Sequence, residues 1–556
     1  MTMNSKYKAA NIFTDVKIQK FPRHLFNKSF FNSLSCNHGL AIPFFNKFVI
    51  PGDKIDIKTF GRIQLQPLAT SSMQNIRCYF RYFYVPFRLL WDQWDDFMVQ
   101  DPHSETRLRV PYTTLSGSML TPDSAFVAPG NLLDYLNVNL YNGRDQLYST
   151  NARVSFNLFS IAAYHLIWDR YFRDQNLQAE TFVEFQAGYN AVGIKDITLL
   201  PVSYSKDYFT SALPWPQKGE PVNLNAYIQR AVLSVDGTAQ SGSMSLTSYD
   251  TPIEFNLGVN GSTKNLVASN LTSDPVTSET YRATFNIDGS AYINENTIAS
   301  SVNINDLRYS NALQRFLERR ALGGSRPAEY YLSMYGVHVD DLRIGDPEYL
   351  GGGYANVSIT DIAATANSTI SDIEQPTGTL TGNGKSFPAV KINKPYFCTE
   401  FGLVMGIMYI RPELNYMQGL PKEFQLFDTL DFYNPLFAHL GEEAVTRSEL
   451  VVQKDLINDP DNPSYNDDVF GYQSRYAYLK HSRNEVHGDF KTSLSQWLLS
   501  PMFNPDSTEL NSDFITVDQD YGIFAVEDAS VHHYLVQLYN EFKVESTMPD
   551  FSIASL

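Results

Sequence analysis

The chain is poor in the features that enzymes and secreted scaffolds leave in a sequence. Its 556 residues include three cysteines, Cys36, Cys78 and Cys398. Their number is odd and their spacing fits neither a zinc site nor a C-x-x-C redox pair, so a disulfide framework is excluded and ordinary thiols are expected. No run of about 18 apolar residues occurs, which excludes a membrane-spanning helix. The start, MTMNSKYKAANIF, lacks the apolar core of a signal peptide. Positive charge is scarce: 43 Lys and Arg face 60 Asp and Glu, a net charge of −17. Such a surface does not coat itself in nucleic acid, and any phosphate contact must be local or helped by a basic partner.

Catalytic signatures are equally thin. There is no G-x-S-x-G, H-E-x-x-H or G-x-G-x-x-G. The stretch GTLTGNGKS, Gly378 to Ser386, imitates a phosphate-binding loop, but the first glycine falls one residue early, since Thr379 holds its place. The following FPAVKIN reads as strand, so the loop lacks the helix N-terminus that binds phosphate. NDPDNPSYNDD, Asn458 to Asp468, lacks the mid-loop glycine and final glutamate of a calcium loop. His532 and His533 are adjacent in an apparent strand and point apart. His165, on an apolar helix face, reads as a satisfied core histidine. No enzyme, cofactor or metal is expected.

What is abundant is aromatic surface, with 37 Phe and 34 Tyr, a bias toward strands and large contacts. In KIDIKTFGRIQLQP, Ile55, Ile57, Thr59, Gly61, Ile63 and Leu65 share one face. Polar residues take the other, with Phe60 the exception. That is the period of a half-buried strand, entered through the Pro51–Asp53 turn. The next strand, CYFRYFYVP, has rings on both faces: Phe80, Tyr82 and Tyr84 on one, Tyr79 and Phe83 on the other. One buried face suffices for an ordinary sandwich strand, so something must cover the second. A short amphipathic helix is expected to follow Pro86, with Phe87, Leu90, Trp91, Trp94, Phe97 and Met98 at helical spacing. Stacking of single-stranded nucleic acid on this strand is a weaker reading than burial, because a platform needs one open face.

Further helices are expected within Phe156 to Gln178, with Ile161, His165, Trp168 and Phe172 inward, and from an N-cap at Asp306 to Gly323. The second would turn Leu307, Leu313, Phe316 and Leu317 inward. Another is expected over Arg326 to Gly336. Strand signals return in FGLVMGIMYI and near the C-terminus. Residues 1–45 form a basic arm, the first thirty carrying a net +5 from Lys6, Lys8, Lys17, Lys20, Arg23 and Lys28 against Asp15. Residues 46–219 and 305–556 read as two parts of one β-sandwich with helical excursions. Between them, 220–304 is rich in Ser, Thr, Asn and Gly, has a net charge of −5, and holds β-like pieces such as YRATFNI. It reads as an inserted surface excursion bounded by Glu220 and Ile304.

The stretches PGDKIDIKTFGRIQLQP, FRYFYVPFRLLWDQWDDFM, YHLIWDRYFRDQNLQ, DYFTSALPWPQKG, EYLGG, FGLVMGIMYIRPELNYMQGL, LFAHLGEEAV, VFGYQSRYAYLK and MPDFSIASL occur in this order. Together they resemble the major capsid proteins of the Microviridae, the small single-stranded DNA phages, in their gokushovirus-like branch. The resemblance implies a mainly β fold, an eight-stranded antiparallel jelly roll of the viral capsid type with long loops and short helical excursions. It implies sixty copies in a T=1 shell around circular single-stranded DNA, a small basic DNA-binding partner protein, and synthesis in a bacterial cytoplasm. It places the 220–304 insertion as a surface protrusion used in host attachment, with a cell-surface receptor, glycan included, as partner. The basic residues of the arm become candidates to face DNA. Phe80, Tyr82, Phe83, Tyr84, Trp91, Trp94 and Trp168 become candidates for core or subunit interface. The alternative is a β-rich glycan-binding adhesin or lectin.

Overall fold

A computed structural model describes residues 22–100, 107–121, 124–140, 152–182, 184–218, 326–338, 340, 345–363, 368–370, 373–375, 380–453, 468–505 and 507–550. Between 219 and 325 it describes residues 233–236, 240–246, 256–259, 262–265, 281–287, 290–293 and 304–322. The chain divides into two compact units, residues 1–216 with 320–556, and residues 217–319.

In the first unit the turn at Pro51–Asp53 works because Gly52 takes φ +92°, a conformation that costs a side-chain-bearing residue energy. It launches the strand Lys54–Leu65, whose alternate residues Ile55, Ile57, Ile63 and Leu65 are buried. This strand pairs antiparallel along its length with Tyr534–Ser546. The segments His24–Asn27 and Phe30–Cys36 line the far side of Tyr534–Ser546. Leu380–Ser386, Ala389–Lys391 and Tyr396–Phe397 line the other side of Lys54–Leu65, and Ser358–Ala363 closes the edge. The result is a wide, eight-stranded antiparallel sheet.

A narrower sheet has the order Glu348–Asn356, Ile76–Pro86, Gly402–Pro412, Ile42–Val49, again antiparallel throughout. Its edge pairing depends on a backbone approach that only glycine permits. A Cβ on Gly352 would lie 2.0 Å from the Phe80 carbonyl oxygen, and a bulge between Tyr349 and Gly351 resets the register.

The two sheets face each other across one apolar core. Ile57, Leu538 and Phe542 of the wide sheet meet Phe44, Tyr82 and Met408 of the narrow one. Phe45 and Phe542 make an edge-to-face pair at 5.2 Å. One buried polar chain crosses the gap: the Tyr82 hydroxyl is 2.5 Å from Thr59 Oγ1, which donates to Asn540 Oδ1 at 2.6 Å.

The other face of the narrow sheet carries a second core, built with segments of the same chain. Tyr79, Phe83, Leu403, Met405, Ile407 and Tyr409 project into it. The helix Phe159–Ile167, extended by a π-turn Trp168–Phe172, lies in this core and is buried on nearly every side. Its polar tips are satisfied: Tyr164 Oη donates to the Ala41 carbonyl at 2.7 Å, and Trp168 Nε1 donates to the Pro201 carbonyl at 2.7 Å. Phe87 stacks on Phe159 at 4.4 Å. The second face of the aromatic strand is therefore covered from within the chain, with no neighbour required.

Three local expectations change. The helix after Pro86 is two pieces, a 3-10 turn Phe87–Leu89 and a helix Trp94–Val99. Between them Leu90 and Trp91 turn into the second core, while Met98 stays exposed. The later helix begins at Ile304 and not after Asp306, and Leu307 and Phe316 are exposed on it. His532 and His533 precede the strand that starts at Tyr534. The expected helix over 326–336 is found at Pro327–Tyr335, with Gly336 at φ +67° after its last residue.

Candidate assembly surface

Burial within the chain sorts the aromatic candidates. Phe80, Tyr82 and Tyr84 lie between the sheets. Phe83, Trp91 and Trp168 lie in the second core, and Trp94 packs on its rim, half-buried, against Phe87 and Phe159. These rings are brought together as core.

An open apolar surface lies elsewhere, in a segment of which the sequence singled out only the end, LFAHLGEEAV. Between Phe424 and Leu440 seven large apolar side chains reach solvent: Phe424 (67% exposed), Phe427, Leu430, Phe432, Tyr433, Leu436 (83%) and Leu440. The segment is built, not slack. Asp431 Oδ2 accepts from the amides of Phe427 and Asp428, both at 2.9 Å. Asn434 Oδ1 accepts from Leu436 N at 3.0 Å, capping the turn Pro435–Phe437. Tyr433 meets Tyr476 edge-on at 5.0 Å, and the Arg475 guanidinium sits over the Phe437 ring.

A buried carboxyl lies close by in the sequence. Glu449 caps the short helix Arg447–Leu450, accepting from Thr446 N at 3.0 Å and from Tyr208 Oη at 2.9 Å. Burial pushes its carboxyl above the usual carboxylate range, while Lys422, 3.8 Å away, and these hydrogen bonds pull it back. Ordered backbone under a run of exposed apolar side chains is the arrangement expected of a contact surface. The available signal was the density of rings in EFQLFDTLDFYNPLFAHL.

Among the DNA-facing candidates, Lys6, Lys8, Lys17 and Lys20 lie outside the described residues, as does Glu220, one expected boundary of the insertion; Ile304, the other, is the first residue of the helix Ile304–Leu322. Arg23 sits over the Phe397 ring at 5.2 Å and 3.8 Å from Glu545. Lys28 sits over the Phe542 ring at 5.5 Å. Both tie the start of the described chain to the wide sheet.

The residues that could suggest chemistry are spoken for. His165 lies within hydrogen-bonding distance of Thr181 Oγ1 and the Asp196 carbonyl, both at 3.1 Å. His533 stacks on Tyr521 at 4.2 Å. Cys36, Cys78 and Cys398 are free and buried, and burial pushes the thiols of Cys78 and Cys398 up to about 12, keeping them protonated. Of the phosphate-loop look-alike Gly378 to Ser386, the described part, Leu380–Ser386, is a strand. Among the described residues no cluster of His, Cys, Asp or Glu could hold a metal, and no helix is long and apolar enough to cross a membrane. The acidic run beginning at Asn458 lies outside the described residues up to Asp468.

Comparison with known proteins is consistent in kind. A family model described as "Capsid protein (F protein)" matches residues 14–556. The chain is 29% identical to "Capsid protein VP1" of Chlamydia phage 1, over 98% of each chain. It is 29% identical to the VP1 of Bdellovibrio phage phiMH2K, over 89% of this chain and 87% of that one. The figure for the VP1 of Spiroplasma virus 4 is 26%, over 83% and 81%.

Proposed function

The chain belongs to the phage capsid protein (F protein) family, a jelly-roll family of structural, non-enzymatic virion proteins of small single-stranded DNA phages, and from that premise we propose that sixty copies of it close a T=1 shell around a circular single-stranded DNA genome. The observation that carries this reading is the ordered apolar surface of 424–440, left open by a chain that has covered both faces of its narrow sheet by itself. Under closed symmetry one such contact closes a dimer or a ring, and a shell combines two or more kinds of contact, of which this surface supplies one. The net charge of −17 leaves genome neutralisation to local cations. Those of the first thirty residues, Lys6, Lys8, Lys17, Lys20, Arg23 and Lys28, together with a small basic partner protein, take that role. The 220–304 insertion serves as a surface protrusion for host attachment, with a cell-surface receptor or its glycans as ligand.

Sedimentation and micrographs of the expressed chain, with its partner proteins present, test the shell. Sixty copies of 63.0 kDa make a particle of roughly 3.8 MDa; a chain that stays monomeric under all such conditions refutes it. Deleting 220–304 tests the protrusion. Shells are expected to form and to lose adsorption to host cells; unchanged adsorption refutes the attachment role, and a glycan-binding lectin would lose its activity altogether.

A further inference from the structure

We propose that the outward face of the wide sheet is a binding platform for single-stranded nucleic acid, in which bases stack on a row of rings and flanking lysines and arginines hold the phosphates. The proposal rests on the reading of the chain as a shell subunit around single-stranded DNA, and adds to it a site apart from the N-terminal arm.

The geometry comes from strand register. Phe60 lies opposite Tyr539, and Tyr539 opposite Phe31, so three rings form one row across three strands. Phe31 and Tyr539 have centroids 4.9 Å apart. The row is open: Phe31 is 72% and Phe60 44% exposed. Its other end is Ala389, opposite Phe60, too small to block access. Phe60 is the one ring on the otherwise polar side of its strand, where burial offers no reason for it.

The charge of this face opposes that of the molecule. Lys54, Lys58, Arg62, Lys385, Lys391 and Lys543 project from it against Asp56, Glu541 and Glu545, six cations against three anions, a net +3 in a chain of net −17. Lys543 is held closely by Glu541, at 2.5 Å, whereas the Lys54–Glu545 and Lys58–Glu541 pairs are loose, at 3.9 and 4.0 Å, and exposed pairs of this kind hold their partners weakly. Among the described residues Arg62, Lys385 and Lys391 make no ion pair. They border the ring row on both sides: Lys391 lies beside Lys58 in one direction, and Arg62 and then Lys385 follow in the other.

Rings on one open face, bordered by cations, are what an unpaired strand requires, because every base has a π-face and every nucleotide a phosphate. A duplex hides its base faces and gains only the charge. A second copy of this acidic chain is the competing occupant, and loss of shell formation in the ring variant described below would identify it.

The test uses the full-length chain and a fluorescein-labelled oligothymidylate of about twelve nucleotides, within the usual footprint of such platforms. Phe31→Ser with Phe60→Ser should weaken binding about tenfold or more, and Phe31→Tyr with Phe60→Tyr should retain it. A duplex of the same length should bind about tenfold more weakly than the single strand. Lys58→Gln with Arg62→Gln should lower the salt dependence of binding by up to about two ions. The serine variant should still form shells, because its substitutions are solvent-facing. Unchanged affinity in that variant, equal affinity for the duplex, or loss of shell formation with undiminished DNA binding each overturns the platform. Failure of the wild-type chain to form shells while it binds oligothymidylate through these rings would instead remove the assembly reading and leave the platform standing.

Discussion

At the scale of single residues, the interior places neutral polar groups where water cannot reach them. His38 is the clearest case. It is fully enclosed, with Nε2 donating to the Asp518 carbonyl at 3.1 Å and Nδ1 without a partner. Burial lowers its pKa to about 4, against 6.5 in an unfolded chain. The folded state therefore holds His38 neutral across a range where the unfolded state takes up a proton. Its contribution is constant above about pH 6.5, is lost as pH falls from there to about 4, and levels off below. The loss is about 1.4 kcal/mol per pH unit within the window, about 3 kcal/mol in all. His165 and His532, also lowered by burial, act in the same direction. Urea unfolding of the unassembled chain should show stability falling between pH 6.5 and 5, where most carboxylates do not yet titrate. His38→Gln, which can still donate to Asp518, should flatten that slope by close to one proton. A slope identical to wild type would show that the ring is protonated, or solvated, in the native state.

At the scale of elements, what could be read from the sequence follows from where the information resides. Alternation in Lys54–Leu65 is local, and the buried positions fall where the period places them. The double-faced character of Ile76–Pro86 and Gly402–Pro412 is local too: each strand is apolar at odd and even positions because each separates two cores. What covers the second face was not legible as a particular element. It is assembled from the helix Phe159–Ile167, Trp91 and the segments around Leu132 and Ile197, which adjoin only in the folded chain. Helix boundaries failed for a related reason. Apolar spacing from Phe87 to Met98 fits one helix, yet Trp91 reaches the core only because the chain turns between two short ones. Asp306 has the chemistry of an N-cap, but nothing in the neighbouring residues forbids the helix from starting two positions earlier. The ring row of Phe31, Tyr539 and Phe60 is the extreme case. Two of its members lie at opposite ends of the chain, and register alone aligns them; in the sequence it left one trace, Phe60 breaking the polar alternation.

At the scale of the whole molecule, the decisive contrast is between surface that the chain closes for itself and surface that it leaves open. The narrow sheet needs no partner. The 424–440 segment, proposed above as a contact between copies, is ordered in the single chain, so little conformational entropy remains to be lost when a neighbour docks. A contact of this kind concentrates its strength in a few central apolar side chains. Leu436, the most exposed of them at 83%, touches the least of its own chain and has the most to gain from a neighbour. Leu436→Asp should leave the melting temperature and urea midpoint of the unassembled chain within about 0.5 kcal/mol of wild type, as expected of a surface substitution. In an assembly of repeated contacts, the same change introduces an uncompensated carboxylate at every copy of the interface and should remove shells from the sedimentation profile. Leu436→Met, which keeps the apolar volume, should assemble. If the aspartate variant forms shells at the wild-type concentration, this segment faces solvent in the particle, and the closing contact must be sought on another open apolar surface of the chain.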